Sequence, residues 1–127
     1  MYNIIGESII RTFVSVPWFD KQWKSLGLTD DDLRRLQNEL LEDPEKGMII
    51  EGTGGVRKLR FAFENRGKSG STRVIYIDFL YYEKIYLLTV YGKNQKENLS
   101  DAEKNGMKKV VNELLDELKR GERNDTV

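Results

Sequence analysis

Along residues 11–16, Arg-Thr-Phe-Val-Ser-Val, apolar and β-branched positions alternate with polar ones, which predicts a short strand. Pro17 follows at a position where a helix needs no N–H, and the helix it opens is expected to run to Leu26. Gly27 is suited to the left-handed conformation that ends it, and Thr29 followed by Asp30, Asp31 and Asp32 predicts a capping box for a second helix. In that helix Leu33, Leu36, Leu40 and Leu41 form one stripe before Pro44 stops it, so residues 17–43 read as an amphipathic helical hairpin. From Val56 the period changes to two and predicts strands over 56–63, 72–80 and 85–91, an antiparallel meander. Ser100 with Glu103 predicts another capping box, and Met107, Val110, Val111, Leu114 and Leu118 stripe a closing helix whose tail, from Gly121, is expected to fray. The fold class is α+β: an N-terminal strand and helical hairpin packed on a small antiparallel sheet, with a C-terminal helix. Residues 1–127 are expected to form one domain with its core over about 11–118.

Composition supports a chain that folds by itself. Of 127 residues, 39% are hydrophobic and only two are proline, which is the balance of a globular protein rather than a disordered one. Neither a membrane span nor a signal peptide is readable, so a cytoplasmic location is expected. Histidine and cysteine are both absent, which removes thiol chemistry, histidine acid–base catalysis and the usual zinc and haem ligands. No metal and no cofactor is expected. Trp18, Phe19 and Trp23 are read as core or interface packing rather than as a recognition surface.

Net charge is zero, but it is unevenly spread. Residues 54–73 hold 6 basic groups and 1 acid, whereas residues 1–53 hold 6 and 10 and residues 74–127 hold 9 and 10. In the strand that begins at Arg57, alternation sends Leu59, Phe61 and Phe63 inward and Lys58, Arg60 and Ala62 outward. A hairpin closing symmetrically around residues 64–71 would set Phe63 opposite Thr72, Ala62 opposite Arg73 and Arg60 opposite Ile75. Arg73 would then lie beside Lys58 and Arg60. The third strand ends at Tyr91, and the turn after it can add Lys93 and Lys96. Such clustering opposes sheet stability, although a charged strand face is also what an ordinary solvated surface looks like. The loop Gly52-Thr53-Gly54-Gly55 offers Gly54 and Gly55 for close approach of a phosphate or ribose, or is simply a turn. The loop Arg66-Gly67-Lys68-Ser69-Gly70-Ser71 lacks the spacing of a P-loop and reads as a basic hairpin tip.

The order of elements, with Gly-Thr-Gly-Gly-Val-Arg-Lys-Leu-Arg-Phe followed by Gly-Lys-Ser-Gly-Ser-Thr-Arg-Val-Ile-Tyr and by Tyr91-Gly92-Lys93, resembles the RelE/HigB-like toxins of bacterial type II toxin–antitoxin modules. The resemblance spans about residues 11–118 and is nearer the HigB-like branch. It implies a ribosome-dependent mRNA endonuclease that inhibits translation by cutting mRNA in the ribosomal A site, and a cognate antitoxin, expected to be a small helix-turn-helix protein. By the same resemblance Lys58, Arg60, Arg73 and Lys93 take the family's catalytic positions. Arg57, Lys68, Tyr91, Lys96, Gly54 and Gly55 are the expected RNA-binding residues. RelE itself has an arginine one position beyond the lysine and a tyrosine further on, where this chain has Asn94 and Ser100.

RNA brings its own nucleophile, the 2′-hydroxyl, so a protein without histidine can cleave it by binding the scissile phosphate and stabilising its charge. Arg60 and Arg73 suit that role. Lys58, among cations that disfavour its charged form, is the candidate general base, and Lys93 or Tyr91 could protonate the leaving group. Two other readings stay open: a ParE-like inhibitor of DNA gyrase with the same fold, and a non-catalytic nucleic-acid or partner-binding module.

Overall fold

In a computed structural model of the chain, residues 9–62, 71–92, 95 and 98–125 are described. The elements in order are β1 (Thr12–Ser15), α1 (Pro17–Ser25), α2 (Asp30–Glu42), β2 (Met48–Ile49), β3 (Arg57–Ala62), β4 (Ser71–Phe79), a 3-10 turn (Leu80–Tyr82), β5 (Lys84–Gly92) and α3 (Asp101–Asp125). The helix boundaries come from the residues that predicted them. Gly27 has φ 74°, Thr29 and Asp32 exchange backbone and side-chain hydrogen bonds (3.2 and 2.9 Å), and Ser100 and Glu103 do the same (3.1 and 2.9 Å). At its other end α3 continues past Gly121 to Asp125, rather than fraying at the glycine.

The sheet is mixed, in the order β1-β5-β4-β3-β2. Strands β3, β4 and β5 form the expected meander, while β1 lies parallel to β5 on one edge and the two-residue β2 lies antiparallel to β3 on the other. Two residues are too few to show a period, so β2 is invisible to pattern reading.

Helices cover both faces. Phe19 and Trp23 of α1 and Leu36 and Leu40 of α2 pack on Leu59, Phe61, Val74, Tyr76, Ile85, Leu87 and Val90. On the opposite face Val111 of α3 joins Val56, Ile75, Ile77, Tyr86, Leu88, Tyr91 and Leu99. The strand β5 changes phase in its middle: opposite Ile75 and Tyr76 the register slips by one residue at a β-bulge. Odd-numbered Ile85 and Leu87 face α1 and α2, but after the bulge it is Val90 that does so, and Tyr91 faces α3.

Tyr76 ties the sheet to the segment after α2. Its ring is fully buried, its hydroxyl donates to the Pro44 carbonyl (2.8 Å) and accepts from the Gly47 N–H (2.9 Å). A Cβ on Gly47 would sit 2.8 Å from Tyr76 Cε1 and 3.1 Å from the Lys58 carbonyl, so only glycine fits there. Burial pushes the Tyr76 hydroxyl from its ordinary 10.0 up to about 12, against a smaller opposing effect of the Gly47 hydrogen bond. The neutral phenol is thus favoured in the folded state. Its contribution is present in full below the unfolded value and is lost as pH rises towards the folded one. Tyr76→Phe, which strands a buried donor and a buried acceptor, is expected to cost about 2–3 kcal/mol in urea unfolding at neutral pH. The same substitution should remove the tyrosine's share of the alkaline loss of stability.

Candidate functional site

The face that α3 partly covers carries the cations. Because Leu59 and Phe61 are buried against α1 and α2, alternation turns Lys58 and Arg60 to the other side. The hairpin register differs from the symmetric closure expected around residues 64–71. Ala62 pairs with Ser71, Phe61 with Thr72 and Lys58 with Ile75, so Arg60 stands directly opposite Arg73 rather than opposite Ile75. The shift is two residues, which keeps every side chain on its predicted face. On the far side of Arg73 its partner is Tyr91, and the β5 bulge is what turns that ring to the same face. Three neighbouring strands therefore present Arg60, Arg73 and Tyr91 in one row.

Their exposures differ. Arg60 is exposed, whereas Arg73 is 1% exposed and Tyr91 5%. Alternation alone suggests an accessible patch; instead Arg60 reaches solvent and Arg73 is buried. Lys58 is two residues along β3 from Arg60, roughly 7 Å away. Its Nζ donates to Asn98 Oδ1 at 3.0 Å, across 40 residues of sequence.

Other expected residues lie elsewhere. Arg57 shares the face of Leu59 and Phe61, and its Nη1 donates to the carbonyls of Glu45 (3.1 Å) and Gly47 (2.7 Å), with Nη2 3.4 Å from the Glu45 carboxylate. It fastens the segment before β2 and is turned away from the row. Gly54 and Gly55, with φ of 82° and 115°, shape the turn into β3, which Thr53 closes by donating to the Ile50 carbonyl (2.6 Å) and accepting from the Val56 N–H (3.1 Å). Gly54 abuts Val111 and Gly55 abuts Ile77, before β3 begins and at least five residues from Arg60, roughly 16 Å away. That loop is a turn, and it does not flank the row. Lys68, Lys93, Asn94 and Lys96 lie outside the described residues. Ser100 is occupied as the cap of α3.

A groove of about 530 Å³ opens beside Tyr91 between α1 and α3, bounded by Trp18, Gln22, Leu99, Gly106 and Met107. Trp18 is 55% exposed there, while Phe19 and Trp23 stack in the core with centroids 5.3 Å apart, so the aromatic trio divides between packing and surface. Among the described residues no cluster of histidine, cysteine, aspartate or glutamate is placed to hold a metal ion, and no helix is long and apolar enough to cross a membrane. Asn98 is the site neighbour that sequence reading missed, since its contact with Lys58 depends wholly on how the loop before α3 returns to the sheet.

Comparison with known proteins bears on this geometry. A family model described as the RelE toxin of the RelE/RelB toxin–antitoxin system matches residues 10–122. A chain of the intact E. coli RelBE toxin–antitoxin complex is similar in structure, with a TM-score of 0.50 and 17% identity over 69% of this chain and 99% of that one. A double arginine-to-alanine mutant of E. coli toxin RelE in the free state aligns over 71% of this chain and 88% of its own, at 15% identity and a TM-score of 0.48. At 17% identity the RelBE chain speaks to the fold alone, while the sequence match speaks to the family.

Proposed function

Because this chain belongs to the RelE toxin family, we propose that it is the toxin of a toxin–antitoxin pair and arrests translation by cutting mRNA in the ribosomal A site. In this reading Arg60 and Lys58 meet the scissile phosphate and Arg73 adds its charge from within the sheet face. The observation that carries it is the direct pairing of Arg60 with Arg73 across β3 and β4. Two like charges directly opposite each other weaken a sheet, so folding alone does not favour the pair, whereas a phosphodiester placed over it would be held by Arg60 and stabilised by the buried charge of Arg73.

The roles follow from exposure. Arg60, open to solvent, makes the first contact with the phosphate. Arg73, shielded from water, adds positive charge where the lower dielectric makes it count for more, and needs no reorganisation as the transition state forms. The RNA 2′-oxygen attacks phosphorus and the bond to the 5′-oxygen breaks, leaving a cyclic phosphate and a free 5′-hydroxyl. Lys58 is the group to accept the 2′-hydroxyl proton, and Tyr91 or Lys93 the group to return one to the leaving oxygen. RNA thus supplies the nucleophile, and the chemistry needs no metal.

A protein of zero net charge can neutralise only a few phosphates, so tight binding to free RNA is not expected and the ribosome must position the message. The partner expected for such a toxin is an antitoxin that covers this face.

In vitro translation with the purified chain, read by primer extension, tests the reading. Ends mapping to the A site of stalled ribosomes support it. Arrested translation with intact message, or DNA gyrase inhibition in their place, would overturn it. Free mRNA should be cut far more slowly than mRNA on ribosomes.

A further inference from the structure

We propose that Asn98 is a positioning residue that holds Lys58 Nζ in place beside the row for the substrate's 2′-hydroxyl. The inference rests on the reading that Lys58 accepts the proton of that hydroxyl. A lysine side chain has four rotatable bonds and roams widely unless something tethers it. Here Nζ donates to Asn98 Oδ1 at 3.0 Å, which engages one N–H and, in the neutral amine, leaves the lone pair for a hydroxyl approaching the row.

The tether is itself fixed from the other side. Leu99, the next residue, is 9% exposed and packs in the cluster beneath α3 with Tyr91 and Ile75. Ser100 then caps α3 through its reciprocal bonds with Glu103. Asn98 is therefore the last residue before a buried anchor and a helix cap, and both fix the backbone that follows it. The loop that enters α3 thus does two jobs: it starts the helix, and it places an acceptor over β3.

A groove of about 410 Å³ that Asn98 itself lines, with Met48, Glu51 and Lys104, borders Lys58 and leaves its side chain room to move once the tether is cut. Only rate, not folding, depends on the outcome.

The test is a double-mutant cycle in the ribosome-dependent cleavage assay, using the full chain and measuring rate at saturating ribosomes. Asn98→Ala is expected to slow cleavage about tenfold, the effect of losing one hydrogen bond to a charged group, with thermal unfolding unchanged. In a Lys58→Ala background the same substitution should change the rate by no more than about twofold. Asn98→Gln, which keeps a neutral amide oxygen, should recover part of the parental rate. Parental cleavage by Asn98→Ala, or an equal loss in both backgrounds, would overturn the tether. Parental cleavage by Lys58→Ala would instead overturn the role given to Lys58, and the inference with it.

Discussion

Arg73→Ala is expected to slow ribosome-dependent cleavage of mRNA by about a hundredfold or more, the usual consequence of removing one preorganised group from a developing anion. Arg73 sits in the middle of the row, with Arg60 directly opposite on one side and Tyr91 on the other. At 1% exposure it is screened by little water, so its charge acts at greater strength than that of a surface arginine. Truncating so large a buried side chain also leaves a void, and activity could fall because the fold loosens. Arg73→Met separates the effects, because it keeps much of the stem's volume and removes only the charged fork. It should lose activity as Arg73→Ala does while unfolding at a temperature nearer the parent's. Arg73→Lys, with charge but no bidentate geometry, should fall between. A methionine variant that cuts A-site message at the parental rate would remove Arg73 from the mechanism.

The largest effect on stability is expected at the other end of the sheet, in Asp78→Ala. Arg11 Nε and Nη2 contact the two Asp78 oxygens at 2.6 and 3.0 Å, with both side chains under a tenth exposed. The pair binds the chain just before β1 to β4 across the intervening β5. The Asp78 hydrogen bond raises the Arg11 pKa despite the desolvation that opposes it. Without the carboxylate a buried cation is left with the Ile10 carbonyl (2.8 Å) and the charge of Glu83, and the cost is expected to be about 3–5 kcal/mol. Because a raised pKa on an arginine is lost only at pH far above neutrality, the guanidinium's part of the effect should be alike in mildly acid and mildly alkaline buffer. Replacing both residues by apolar ones of similar size should recover much of the loss, since the pair is costly to break rather than strongly stabilising in itself. Urea unfolding of the single and double variants measures both. A single variant within 1 kcal/mol of the parent would show the pair to be dispensable.

How much of this was legible depended on the range of the forces involved. Pro17, Gly27, Thr29 with Asp32 and Ser100 with Glu103 act within one turn of backbone, and each stands in the structure where its local chemistry puts it. The division of β3 into an inward Leu59 and Phe61 and an outward Lys58 and Arg60 is equally local, since it needs only alternation. Local charge points to Arg57 and backbone freedom to the glycines of the turn before β3, but one braces Glu45 and Gly47 and the others lie at the opposite end of the strand from Arg60. No local signal separates an arginine that binds carbonyls from one that awaits a phosphate.

The sequence by itself determined the helices and their caps, the three long strands, the face on which Lys58 and Arg60 lie, and the concentration of positive charge in residues 54–73. All of these follow from periodicity, backbone preference and counting, which are properties of neighbours along the chain. Tertiary structure alone decided that β1 runs parallel to β5, that Arg60 meets Arg73 directly, that Arg73 is buried, and that Asn98 reaches Lys58. Tyr91 shows the difference most clearly. Uninterrupted alternation with Ile85 and Leu87 would turn it towards α1 and α2, away from the cations. One bulged residue in β5 reverses that phase and completes the row. The bulge answers to how two strands fit between two helical layers, and that fit exists only once the chain has folded.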